Sequence, residues 1–191
     1  MHPEEKDLIN ALIAGDNSAF KKLLDTFKDK VYHSALGILQ NEEDAQDITQ
    51  EVFIAIHSSV KNFKGESSLS TWIYRITLTR SLDHLRKQKR QKRYGIMKRL
   101  FGGDDEREIT DQHSFFHPGI QLENKEKGAI LFKALALLPE TQKAAFTLHN
   151  LDGLSYQEIA DVMETSLSSV ESLIHRAKQN LRKYLSDYYS S

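Results

Sequence analysis

Residues 138–185 read LPETQKAAFTLHNLDGLSYQEIADVMETSLSSVESLIHRAKQNLRKYL. Pro139 suits the first turn of a helix, where its missing N–H would find no partner in any case, and Asp152-Gly153 supplies a stop. Ser155 and Glu158 have the spacing of a capping box, so a second, short helix starts there and carries Ile159, Ala160, Val162 and Met163. The same spacing recurs at Ser168 and Glu171, which places the start of a third helix at Ser168, with Val170, Ile174, Ala177 and Leu181 on one stripe. Its other side is polar and cationic. The first turns of such a helix can enter a major groove while Arg176, Lys178, Arg182 and Lys183 lie near phosphates, which makes DNA the leading partner of this segment.

The chain around this helix-turn-helix has 191 residues, 39% of them apolar, enough for one large domain or two small ones, and the pattern favours two. The formal net charge is only -1, so affinity for nucleic acid must come from local patches. Residues 86–99 hold eight basic side chains and no acidic one, whereas residues 42–51 hold five acidic and no basic. With no cysteine there is no disulfide framework, thiolate metal site or cysteine nucleophile, and a reducing compartment fits. The first residues do not resemble a signal peptide, because a short amphipathic run is broken at Gly15-Asp16-Asn17, and no apolar run approaches membrane-spanning length. The expectation is a soluble, cytoplasmic protein without membrane insertion.

Residues 4–88 show helical periods and none of the bounded alternation of strands. Leu8, Ile9, Leu12 and Ile13 mark one helix; Phe20, Leu23, Leu24 and Phe27 mark the next, whose stripe continues over residues 31–39. Asn41 caps a helix in which Ile48, Val52, Ala55 and Ile56 share a buried stripe beside Asp44, Asp47 and Glu51. A polar loop, residues 62–68, leads into a helix with two apolar sides: Leu69, Trp72, Ile73 and Ile76 on one, Leu78, Leu82 and Leu85 on the other. Such a helix is packed between neighbours. Gly102-Gly103 and Pro118-Gly119 interrupt the pattern, and Ala129, Ile130, Phe132, Leu135 and Leu138 resume it. The reading is an all-α protein of two small helical domains, residues 1–90 and 125–191, joined by a flexible linker over residues 91–124.

Three segments together, Asp44-Ala45-Gln46-Asp47-Ile48-Thr49-Gln50-Glu51-Val52-Phe53, Ser70-Thr71-Trp72-Ile73-Tyr74-Arg75-Ile76 with Leu82-Asp83-His84-Leu85-Arg86, and residues 138–185, resemble the extracytoplasmic-function (ECF) sigma factors. These are bacterial RNA polymerase initiation subunits reduced to conserved regions 2 and 4. The resemblance implies a chain that is not an enzyme, needs no cofactor, and binds core polymerase through its beta-prime and beta subunits. It implies that Asp44, Asp47, Gln50, Glu51 and Phe53 dock on the beta-prime clamp helices. It further implies that a loop with Asn62, Phe63, Lys64, Ser67 and Ser68 captures a flipped base of the minus-ten element, that Arg75, Arg80, Arg86 and Lys87 follow the strand's phosphates, and that an anti-sigma protein holds the factor inactive. Chemistry agrees, since small polar side chains beside aromatics can bond base edges and stack an unpaired base. Two departures stand out. Thr77-Leu78-Thr79 replaces a common Ala-Arg-Asn, and Glu171 and Leu173 stand where relatives often carry basic residues.

Simpler readings compete at each place. An acidic helix face is ordinarily just solvated, and a metal-dependent nuclease would need ligands converging from separate elements. Trp72 is as well placed for a core as for a base. The basic tract can be a solvated helix end or can meet nucleic acid by releasing counterions. Glu171 is either the capping partner of Ser168 or an acceptor for a cytosine amine, and Leu173 either meets a thymine methyl or packs inward. Ser168, Ser169, Ser172, His175, Arg176 and Lys178 complete the expected minus-thirty-five contacts. His113 and His117 stand four apart without a third ligand, and no metal is expected there. The rival functions are a stand-alone transcriptional regulator and a helical metal enzyme.

Overall fold

The computed structural model describes residues 3–101 and 125–189. The expected linker and the pair His113 and His117 thus lie, over residues 102–124, outside the described residues. Among the described residues the protein is all-helical: α1 (Pro3–Ile13), α2 (Asn17–Leu39), α3 (Glu42–Ser59), a 3₁₀ turn (Val60–Asn62), α4 (Leu69–Phe101), α5 (Lys125–Ala136), α6 (Glu140–Asn150), α7 (Tyr156–Met163) and α8 (Leu167–Tyr189). Helix α4 continues through the basic tract, so residues 91–101, expected to begin the linker, are helical.

Local chemistry sets most boundaries. Asp16 accepts from the Ser18 N–H at 2.7 Å and Asn41 from the Asp44 N–H at 2.9 Å, each satisfying a donor that the first helical turn leaves open. Between α2 and α3 the chain reverses through Gln40, which takes the left-handed conformation at φ 61°. The Ser155–Glu158 capping box forms as the spacing implied, with the Ser155 N–H donating to Glu158 at 2.8 Å. At the third helix the expectation needs correction. The cap is Ser166, whose hydroxyl accepts from the Ser169 N–H at 3.2 Å, and the helix starts at Leu167 rather than Ser168. Serines at 166, 168 and 169 offer competing frames, and the turn after α7 decides between them. Pro139 precedes the first turn of α6 instead of lying in it.

Helices α1 to α4 enclose a first core in which Leu23, Val31, Leu36, Val52, Ile56 and Ile73 are fully buried. Each large aliphatic side chain removed from water contributes about 1.5–3 kcal/mol before entropy is counted. A further core unites α5, α6 and α8 through Phe132, Leu135, Leu138, Phe146, Ala177 and Leu181. Between them lies a core that belongs to both halves of the chain. Ile38 of α2 and Tyr74 and Leu78 of α4 pack with Ala144, Leu148, Leu154, Ile159, Val170 and Ile174 of α6 to α8. The two apolar sides read from the α4 sequence are thereby accounted for: one faces its own bundle, the other faces the helix-turn-helix.

The crossing of α2 and α6 depends on Gly37. A β-carbon there would lie 2.5 Å from Cγ2 of Thr147 and 3.1 Å from Cδ1 of Leu151, well inside contact distance. Glycine within a helix costs about 1 kcal/mol relative to alanine. Close approach of the two helices accounts for its presence.

Candidate functional site

Helix α3 turns about 100° per residue, so adjacent residues face different ways. Asp47, Gln50, Glu51 and Ile54 are exposed on one face, with Ile54 69% accessible at its centre. Phe53, expected on this face, is only 8% accessible and belongs to the first core. It supports the helix from beneath; Ile54 is the apolar group that the surface offers. An isoleucine three residues after Glu51, in line with Asp47, was the available signal, and the stripe reading passed over it. Asp44 lies at the edge of the face and turns toward α4. Its carboxylate is 3.0 Å from Nε2 of His84 and accepts from Gln88 at 2.9 Å.

Beside this face runs a cationic groove of about 740 Å³, lined by Arg80, Arg86, Lys87, Lys89, Arg90 and Arg93 together with Glu51, Asp83 and Glu140. Arg80 is 3.8 Å from Glu51 and Arg86 is 3.0 Å from Asp83. Exposed pairs of this kind are worth about 0–1 kcal/mol, so a polyanion entering the groove displaces them easily. At its far end Lys89 lies 2.6 Å from Glu140.

The loop before α4 is partly structural. Ser68 accepts from the Thr71 N–H at 3.0 Å and so caps α4, while Glu5 of α1 accepts from the Leu69 N–H at 2.7 Å. Phe63 and Trp72 stack 5.0 Å apart, both half-buried against the first core. Trp72 is thus anchored on the core as the first of its two readings expected, with part of its surface left exposed. Asn62 and Lys64 are exposed, and Ser67 is half-exposed. Arg75, on the next turns of α4, reaches across to α7, donating to the Asp161 carbonyl at 2.7 Å and pairing with Glu164 at 3.2 Å. Thr77 donates to the Ile73 carbonyl and is buried, and Leu78 is buried beneath the helix-turn-helix. The departure at Thr77 and Leu78 is therefore a packing feature, while Thr79 is exposed.

On α8, Ser168, Glu171, Ser172, His175 and Arg176 are exposed on the side opposite Val170, Ile174, Ala177 and Leu181. Ser169 and Lys178 flank that face, half-buried, and Leu173 packs inward against the shared core. Glu171 is free of the capping role, since Ser166 performs it. In α7 the hydrogen bonds from Ser155 hold the Glu158 carboxyl below the usual carboxylate range. No group of three histidine and carboxylate side chains converges among the described residues, and no described helix is long and apolar enough to cross a membrane.

Two family models match. Sigma-70 region 2 covers residues 23–91 and Sigma-70 region 4 covers residues 129–181. The ECF RNA polymerase sigma-E factor of Haemophilus influenzae is 31% identical over 92% of this chain and 92% of its own length. The chain belongs to the ECF sigma factors. Similar to it as well are the ECF sigma factor SigW of Bacillus subtilis, 29% identical over 95% of this chain and 97% of its own, and the sigma-H factor of Pseudomonas aeruginosa, 28% identical over 95% and 94%. Among solved structures, CnrH in complex with the cytosolic domain of CnrY shares the fold at a TM-score of 0.68 and 20% identity, covering 96% of this chain and 97% of that one. So does RpoE in complex with the anti-sigma factor NepR from Bartonella quintana, at a TM-score of 0.62 and 20% identity, covering 87% and 96%. As an ECF sigma factor with regions 2 and 4, the chain is an RNA polymerase-associated transcription initiation factor rather than an enzyme.

Proposed function

We propose that this sigma factor docks on core polymerase through α3, reads a minus-ten element with the loop and groove beside α4, and reads a minus-thirty-five element with α8. The observation that carries this reading is the juxtaposition of the exposed acidic face of α3, with Ile54, and the cationic groove that α4 dominates. An exposed apolar residue one turn from a carboxylate suits an interface anchor, and complementary charge steers association and sets register. The groove is adjacent, so polymerase and a single strand could be held at once. Asp47, Gln50, Glu51 and Ile54 meet the beta-prime subunit, with Phe53 fixing the helix from inside. Residues 125–191 approach the beta subunit and the upstream duplex.

At the minus-ten element, Asn62, Lys64 and Ser67 meet base edges, while the exposed edges of Phe63 and Trp72 offer a stacking surface. Ser68 shapes this loop as a cap. Arg80, Arg86 and Lys87 follow the phosphates, joined by Arg75 once it leaves α7. Strand opening is assisted by binding: each unpaired base held in the loop offsets part of its lost stacking. At the upstream element, Glu171, Ser172, His175 and Arg176 face the bases, with Ser168, Ser169 and Lys178 toward the backbone. The factor works in the cytoplasm, and an anti-sigma protein covers its docking surfaces, as the complexes of its structural relatives suggest.

Run-off transcription with purified core polymerase on a library of random promoters tests this. Initiation from a promoter subset sharing two spaced elements is the expected result. Failure to direct any initiation would remove the assignment of roles. Duplex binding that survives alanine at Asp47 and Glu51, without any polymerase binding by the wild type, would favour a stand-alone regulator, and metal-dependent cleavage of DNA a nuclease.

A further inference from the structure

Helix α1 has no part in the proposed contacts with polymerase or DNA, yet it touches the minus-ten loop at both ends. Before the loop, the 3₁₀ turn Val60–Asn62 packs against α1, and Val60 shares the first core with Ile9 and Leu12 of that helix. The chain leaves this turn with the Phe63 N–H donating to the Val60 carbonyl at 3.1 Å. After the loop, the Glu5 carboxylate accepts from the Leu69 N–H at 2.7 Å, across 64 positions of sequence. Glu5 is half-buried, whereas Glu4, Lys6 and Asp7 beside it on α1 are exposed.

This bond is not needed simply to begin α4. Ser68 already caps the helix from its own sequence, accepting from the Thr71 N–H at 3.0 Å. Glu5 takes a different donor, the first N–H of the helix, which the local cap leaves open. That N–H belongs to the planar peptide joining Ser68 to Leu69, so the bond fixes the plane in which the loop enters the helix. A carboxylate is also favoured by charge at the positive end of a helix. The described side-chain bonds of the loop itself are local: Ser67 donates to the Ser68 carbonyl at 3.3 Å, and the Ser68 and Thr71 hydroxyls lie 2.8 Å apart. Gly65, at φ 72°, lets the chain turn but brings no side chain to hold it.

Resting on the proposed minus-ten reading, we infer that Glu5 is a positioning residue for strand opening. From α1 it fixes the Ser68–Leu69 peptide and, together with the packing of α1 on the 3₁₀ turn, sets the span of the loop that receives the unpaired base. A base leaving its stack must find its partners already in place, because ordering a loose loop at that moment subtracts from the binding that offsets unstacking. Glu5 itself touches no DNA. It acts through Ser67, Ser68 and, one turn further on, Trp72.

Trp72 is the only tryptophan of the chain and stacks on Phe63 beside the loop, so its fluorescence reports the loop without polymerase or DNA. In the full-length protein, Glu5→Ala is expected to raise the quenching of Trp72 by acrylamide. Glu5→Asp, which keeps the charge but is one methylene shorter, should do the same. Glu5→Gln, which keeps an acceptor oxygen at the same reach, should restore the wild-type value, and Glu4→Ala should leave it unchanged.

The second arm uses core polymerase and a promoter recovered from the random library, with permanganate reactivity of the minus-ten thymines as the readout. Glu5→Ala and Glu5→Asp are expected to open the duplex at least about tenfold less than wild type while binding core polymerase equally well. The defect should shrink on a template mismatched beforehand over the minus-ten element, where the strand is open without help. Unchanged quenching in both variants, an equal defect on both templates, or a loss of polymerase binding that accounts for the defect overturns the inference. Should Glu5→Ala fail to fold, the comparison of Glu5→Asp with Glu5→Gln decides. A wild type that opens no promoter, while Trp72 still responds to Glu5, would instead overturn the promoter reading and the role in opening with it.

Discussion

Asp44 and His84 meet at 3.0 Å, Oδ1 to Nε2, and this contact separates one acidic residue of α3 from the others. With Gln88 also donating to it, the Asp44 carboxylate ties α3 to α4. Asp47, Gln50 and Glu51 remain on the exposed face around Ile54. Residues that looked equivalent along one stripe therefore differ, one holding α3 to α4 and the others standing exposed.

Ile54→Ala is expected to weaken binding to core polymerase by about tenfold or more, the scale of an interface anchor worth over 1 kcal/mol. Thermal stability should stay within about 0.5 kcal/mol of wild type, as for an exposed position. Asp44→Ala should do the reverse, lowering the melting temperature while leaving less of an effect on polymerase. Titration of labelled core polymerase, paired with calorimetry, checks both. Equal affinity of Ile54→Ala and wild type would remove Ile54 from the interface.

The packing of α6 to α8 on α2 and α4, the docked state of the two halves, should loosen as pH rises and give an open one. Burial pushes the Asp152 carboxyl up to about 7 in the docked chain from an ordinary value of 3.8, against the opposing effects of the Ser34 hydrogen bond and Lys30. Tyr74 of α4 and Glu158 of α7 also face this site, and burial holds the Tyr74 hydroxyl above its usual range, so it stays neutral throughout. The docked state holds the proton more tightly than the open one. Its stability is fully present below about 4 and falls as pH rises through about 7. Scattering between pH 5 and 8 should show a growing radius, and Asp152→Asn should flatten that dependence.

At α8, Glu171→Ala should change which upstream bases are preferred while leaving the melting temperature within about 0.5 kcal/mol of wild type, because Ser166 already caps the helix. Selection of upstream elements from a random library measures the first, calorimetry the second. A loss of stability with unchanged preference would return Glu171 to a structural role. Arg176→Ala should weaken binding to every sequence that Glu171→Ala still binds if it meets phosphate, and relax one base position if it meets a base.

The capping box of α7 gives a purely structural comparison. Ser155→Ala removes the acceptor for the Glu158 N–H and should cost about 1 kcal/mol. Thermal melts at neutral pH read this directly. No change would mean that the tertiary contacts of α7 alone hold its first turn.

Much of the architecture was legible in the chain by itself. Periodic Leu, Ile and Val, Asn41 as a cap and the Ser155–Glu158 pair specify helices through contacts a few residues apart, and the two apolar sides of α4 announced two packing partners. The motifs that mark the sigma family are local for the same reason. Tertiary structure decided what local spacing leaves open. One 100° step between Phe53 and Ile54 put the aromatic ring in the core and the aliphatic chain outside, and the turn at Glu164 chose Ser166 over Ser168 as the cap. Above all, the pairing of Gly37 with Thr147, Ser34 with Asp152 and Arg75 with Glu164 joins residues up to 118 positions apart. No periodicity encodes such a pairing, because it exists only once both helical surfaces have formed and met.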